Sequence, residues 1–225
     1  MPRIARTDIA DTVYHVLNRA NARAQIFDSK KDYDLFENIL EEAVERFSMR
    51  LLAYCLMPNH WHLVLYPRAD NDLSRCMTWL TNTHTRRWHV MKQTVGQGHL
   101  YQGRYKSFLC ETDSHFVTLV RYVERNAQKA NLVQRAENWR WSSVWRRENG
   151  TERQKKLLSQ WPVSEPHQYL ALLNEPQTQA EEDALERSIT KNIPFGTEQW
   201  QGVIIKKYGL EQTLRSVGRP RKNGG

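Results

Sequence analysis

Two apolar runs, residues 51–56 (LLAYCL) and 63–66 (LVLY), are separated by Met57, Pro58 and Asn59. This pattern predicts two strands joined by a tight connection. An earlier run, residues 12–17 (TVYHVL), is rich in β-branched and aromatic side chains and predicts a first strand. Between them, Leu35, Phe36, Ile39, Leu40, Ala43, Val44 and Phe47 recur at helical spacing, with Glu37, Glu41, Glu42 and Glu45 opposite. They predict a helix over residues 32–47. Residues 73–92 predict a second helix, with Met77, Leu80, Trp88 and Met91 on its buried side and Asn71 or Asp72 as its cap. Residues 104–109 predict a fourth strand. Residues 113–128 predict a third helix, capped by Thr112 or Asp113 and packing through Phe116, Val117, Leu119, Val120 and Val123. The order β-α-β-β-α-β is that of an α+β, ferredoxin-like core, with two helices on one side of a four-stranded antiparallel sheet. Its first and third strands are central.

Beyond the core, residues 138–147 (NWRWSSVWRR) concentrate three tryptophans that pin its end, and further helices are expected near 181–189 and 198–207. The chain thus divides into a core over residues 1–148, a helical accessory region over 149–214 and a basic tail over 215–225.

Composition narrows the partner. The chain has 225 residues, 40% of them apolar, and a net charge of +8. The apolar content supports a true core, and the charge favours a polyanionic partner, nucleic acid before membrane. Cys55, Cys76 and Cys110 form no C-x-x-C, which argues against a zinc ribbon or a disulfide framework. No apolar run reaches membrane-spanning length and no signal core is visible, so a cytoplasmic protein is expected.

His60 and His62 open the third predicted strand. Period two puts both imidazoles on one face and Trp61 on the other. Such a pair can be half of a divalent-metal site, with Mg²⁺ or Mn²⁺ taking oxygens for the remainder, but taken alone it is more often two ordinary polar residues on a half-exposed strand. Asn126 is a candidate third ligand through its carbonyl oxygen. No carboxylate is placed as obviously, which disfavours a two-metal hydrolase. Tyr122 lies one helical turn before Asn126 on the same face. A phenol of pKa near 10 is a poor nucleophile until activated, but a phosphotyrosine would keep the energy of a cleaved DNA bond. A tyrosine on an amphipathic helix is more often an ordinary packing residue, and from the residues alone that reading is the stronger. Arg19 and Arg23 follow the first strand in a basic stretch, and Arg75 and Arg86 line a polar helix side suited to phosphates. Gly218, Arg219 and Pro220, with Arg221, resemble the core of an AT-hook, which lays an arginine arm in the minor groove. A disordered solubilising tail is the alternative.

Several blocks, taken together and in order, carry a family resemblance: MPNHWHLVL (57–65), YQGRYKSF (101–108), RYVERNAQKANLV (121–133), WRWSS (139–143) and GRPRK (218–222). The chain resembles the IS200-like single-tyrosine (Y1, HUH) transposases, and most closely their REP-associated branch. The resemblance implies that His60 and His62 are the metal pair, Tyr122 the catalytic tyrosine, and Asn126 the polar residue that helps hold Mg²⁺ or Mn²⁺. It implies a Y1-type catalytic domain in residues 1–148. The activity implied is cleavage and rejoining of single-stranded or hairpin, REP-like DNA through a 5′-phosphotyrosine, in a nucleoid-associated cytoplasmic enzyme without a small-molecule cofactor. Phosphate contacts are expected from Arg75, Arg86, Arg87, Arg104 and Lys106, and base stacking from Trp61, Tyr101 and Tyr105. Trp61, facing away from the histidines, is alternatively core. The branch leans toward a monomer, with a homodimer exchanging the tyrosine helix as the alternative. Arg19, Ala20 and Asn21 stand where the family commonly has R-G-N, and Ala127 stands where a proline usually follows the asparagine. A non-catalytic DNA-binding protein and a nuclease without a tyrosine intermediate are the competing functions.

Overall fold

The computed structural model describes residues 7–214. The chain runs β1 (Val13–Arg19), α1 (Lys30–Arg46), β2 (Arg50–Met57), β3 (His60–Tyr66), α2 (Asp72–Met91), β4 (Lys106–Cys110), α3 (Ser114–Glu124) and α4 (Asn126–Lys129). The strands form one antiparallel sheet in the order β2-β3-β1-β4, so β3 lies centrally beside β1. The helix expected over residues 113–128 is divided at Arg125, whose φ of −82° and ψ of −5° keep the chain turning right-handed.

Both sheet faces are covered, and the period of two sorts their side chains. Tyr14, Val16, Trp61, Leu63 and Leu65 belong to one core with Phe36, Ile39 and Leu40 of α1 and Met77 and Leu80 of α2. Val13, Val64, Phe108 and Cys110 belong to the other, with Phe116, Leu119, Val120 and Val123 of α3. The three cysteines are buried and free.

Helix caps are partly local and partly not. Asp113 Oδ1 accepts the His115 N–H at 2.8 Å at the start of α3, as expected. For α2, Asn71 occupies the cap position in a left-handed conformation without a side-chain bond. Asp8 instead accepts the N–H groups of Leu73 and Ser74 at 3.2 and 2.7 Å. Glu37, expected on the solvent side of α1, is buried and accepts from Tyr54 Oη at 2.6 Å and Arg146 at 3.1 Å.

The accessory helices are α5 (Ser143–Asn149), α6 (Glu152–Lys155), α7 (Tyr169–Asn174), α8 (Gln179–Lys191) and α9 (Glu198–Tyr208). Trp161, Tyr169, Leu173, Leu185 and Phe195 share the core of α3. Their segments also cover the sheet edges, which would otherwise offer unpaired backbone to other chains. Ser159 N–H donates to Leu51 O at 2.8 Å on β2, and Phe195 N–H to Leu109 O at 2.7 Å on β4. Glu124, fully buried on α3, accepts from Arg147 at 2.6 Å, Tyr169 Oη at 2.7 Å and Ser143 Oγ. Among the described residues no helix is long and apolar enough to cross a membrane. Arg219, Arg221 and the rest of the basic tail lie outside the described residues.

Candidate active site

The turn between β2 and β3 sets the histidines. The Pro58 carbonyl accepts the N–H groups of Ile26 and Phe27 at 2.9 and 3.0 Å, which fixes the turn from outside. His60 and His62 then project from the same face of β3 with ring centroids 5.0 Å apart. His60 Nδ1 lies 2.6 Å from Asn59 Oδ1, and the other end of that amide donates to the Arg23 carbonyl at 3.5 Å. With the Asn59 amide oxygen accepting, His60 carries its proton on Nδ1 and presents Nε2 as a lone pair on the Asn126 side. His62 Nδ1 lies 2.9 Å from Nε2 of His15, on the neighbouring strand. Burial, then the Arg19 charge, lowers the His60 pKa to about 4. Burial, then His60 and His15, pushes that of His62 well below its ordinary value. Both rings are neutral near pH 7, the form that binds a metal ion.

Tyr122 comes from the opposing helix. It is half-buried, and its ring meets that of His62 nearly edge-on, with centroids 5.8 Å apart. Because α3 passes into α4 without reversing its hand, Asn126 stays on the Tyr122 face. Its carboxamide lies against both His60 and the Tyr122 hydroxyl, raising the basicity of the imidazole and the acidity of the phenol. Tyr122 is nonetheless pushed up to about 12, by burial first and then by Glu186 and Glu182 of α8, against Asn126 and Arg19. Two imidazoles, one backed by a carboxamide oxygen, and a second carboxamide beside them make a donor set that fits one small divalent cation, with water and phosphate oxygens completing it. A separate group, Glu111, Asp113 and His115, gathers where β4 ends. It lies at the other end of the sheet, since Cys110 pairs with Val13 whereas His60 pairs with Arg19. One oxygen of each carboxylate serves the fold: Glu111 Oε2 takes the Thr197 N–H at 2.7 Å, and Asp113 Oδ1 caps α3.

The expected DNA contacts fall into two sets. Arg19, opposite His60, and Lys106, opposite Leu17, share the histidine face by strand alternation. Arg19, Arg23, Arg104 and Lys106 are exposed and form no ion pair among the described residues. Their loops are tied together by Ala20 N–H to Asn59 O at 2.8 Å and Gln102 N–H to Arg19 O at 3.0 Å. Ala20, where the family commonly has glycine, has φ −61° and ψ 148° and needs no glycine. The left-handed residues of this turn are Ala22 and Arg23.

Arg75 and Arg86 instead line an open groove on α2 with Trp79, across the sheet from the histidines. Arg87 is held by Glu42 at 2.6 and 2.9 Å. The stacking expectation is corrected. Trp61 is fully buried and its Nε1–H donates to Tyr101 Oη at 2.9 Å, while that oxygen is 2.6 Å from His84 Nδ1. Tyr101 and Tyr105 are buried as well, so all three rings serve the core.

The model of the family described as "Transposase IS200 like" matches residues 8–126, more than half of the chain, and the match spans His60, His62, Tyr122 and Asn126. The chain belongs to the IS200-like transposase family. A REP-associated tyrosine transposase of Haemophilus influenzae is 22% identical to this transposase in an alignment of 119 positions that covers 49% of this chain and 68% of that protein. A solved structure described as a REP-associated tyrosine transposase bound to a REP hairpin shares its fold. The TM-score is 0.55 at 18% identity, over 65% of this chain and 84% of the other. In this transposase, His15 and Asn59, which the sequence pattern does not single out, are the residues that touch the two histidines from behind. Asn59 had a signal in its place next to His60; His15 had none.

Proposed function

We propose that this transposase cleaves and rejoins one strand of single-stranded or hairpin DNA through a covalent 5′-phosphotyrosine at Tyr122. The observation that carries this is the meeting of Tyr122 and Asn126 with His60 and His62 within a single chain. Tyr122 gives its proton to solvent, and its oxygen bonds to phosphorus. The bond from phosphorus to the 3′ oxygen breaks, and that oxygen leaves as a hydroxyl once protonated. The linkage keeps the energy of the broken bond, so a 3′-hydroxyl can reverse the step without a nucleotide cofactor.

Mg²⁺ or Mn²⁺, held by His60, His62 and Asn126, would supply positive charge to the scissile phosphate. Arg19 adds fixed positive charge on the same face and favours the phenolate. Arg23, Arg104 and Lys106 hold the strand by its phosphates. Likeness to the REP-associated relatives supports a hairpin substrate, and the 5.8 Å approach of the Tyr122 ring to His62 of its own chain supports attack in cis.

The test uses a labelled single-stranded palindrome with Mn²⁺ on denaturing and native gels. A covalent adduct that disappears in Tyr122→Phe, with binding retained, is expected. Cleavage that persists in Tyr122→Phe would mean a nuclease with no tyrosine intermediate, and wild-type binding without cleavage a non-catalytic DNA-binding protein.

A further inference from the structure

His15 sits on the central strand β1 with about 1% of its surface exposed. Its ring lies between Phe108, at a centroid distance of 4.8 Å, and His62, at 5.1 Å. The 2.9 Å separation of His15 Nε2 from His62 Nδ1 is a hydrogen bond, and a hydrogen bond between two neutral imidazoles holds one proton.

That proton has two addresses with opposite consequences. On His15 Nε2, it obliges His62 to accept at Nδ1 and to carry its own proton at Nε2. On His62 Nδ1, it leaves Nε2 of His62 as a lone pair. We propose that His15 is a positioning residue that accepts the Nδ1 proton of His62 and so presents the Nε2 of His62 as a donor to a divalent cation. This rests on the assignment of His60 and His62 as the cation's ligands. The two ligands are then backed in the same way: Asn59 accepts from His60 and His15 from His62. The two backing groups differ in one respect. The Asn59 oxygen can only accept, whereas His15 can do either, so the His62 tautomer depends on a second buried ring. At this depth no water replaces a lost acceptor, and His62 would have to bury an unpaired N–H or change tautomer.

Two measurements test this. Long-range ¹⁵N–¹H correlation spectra of the metal-free wild-type protein should show His62 protonated at Nδ1. In His15→Phe, which fills the space beside Phe108 but accepts nothing, the proton should shift toward Nε2. Mn²⁺ titration followed by electron paramagnetic resonance should then show binding in the wild type and none in His62→Ala. Binding should be about 10- to 100-fold weaker in His15→Phe. It should recover in His15→Gln, whose amide oxygen can stand near the lost Nε2, with thermal melts establishing that the variants fold. Wild-type Mn²⁺ binding that is absent, or unchanged in His62→Ala, overturns the cation assignment itself. Mn²⁺ affinity unchanged in folded His15→Phe, or His62 protonated at Nε2 in the free wild type, overturns only the role of His15. The wild-type spectrum decides even where a variant does not fold.

Discussion

Arg19 and Trp61 approach the same end of the sheet from different sides, and their substitutions separate binding from stability. Trp61 fills the core against Phe36, with ring centroids 5.6 Å apart. Trp61→Ala should cost about 3–5 kcal/mol in urea unfolding and leave the DNA affinity of the folded fraction unchanged. Arg19→Ala should do the reverse: stability unchanged, weaker binding to every sequence, and a salt dependence of binding shallower by about one. A loss of DNA affinity in folded Trp61→Ala would restore the indole as a base contact. The alternation of side chains correctly put Trp61 opposite the histidines. It could not tell that the other face is covered as well, because α1 and α2 supply that cover from distant sequence. His15 was illegible for a related reason: it meets His62 through the pairing of β1 with β3, and only the register makes them neighbours.

At the scale of elements, α3 is held by its last residue. Glu124 is fully buried and joins α3 to α5 and α7 through Ser143, Arg147 and Tyr169. Glu124→Ala strands these partners. The expected loss is about 3 kcal/mol by urea unfolding, at the low end for a broken buried pair because Arg147 keeps some solvent contact. A loss under 0.5 kcal/mol would mean that α3 is held by its apolar face alone. The amphipathic pattern of α3 was readable, since its apolar residues recur with the helical period. The joint at Arg125 was not, because no proline or glycine marks it. The burial of Glu37 and the cap from Asp8 were hidden likewise, each depending on a partner far along the chain.

Across the whole molecule, burial of histidines sets the response to acid. His15 and His84 are both lowered to about 3 by burial, while the unfolded chain titrates near 6.5. Between those values the unfolded state takes up protons that the folded state refuses. Their contribution is therefore complete above pH 6.5 and is lost as the pH falls, at up to about 1.4 kcal/mol per pH unit for each ring. Thermal melts should show a clear fall in Tm from pH 7 to pH 5, and a flat profile would contradict the neutral buried rings. The sheet order was legible because the order of elements admits few arrangements of strands. The packing of residues 149–214 was less so, since Trp161 and Phe195 find their places on β2 and β4 only after the sheet exists. What unites the molecule is a tyrosine brought to a histidine pair, and peptide mapping tests that most directly. The protein is incubated with Mn²⁺ and a single-stranded palindrome, digested, and read by tandem mass spectrometry. A nucleotide mass on the phenol of Tyr122 is the predicted result; an adduct on another residue, or cleavage with no adduct at all, would contradict it.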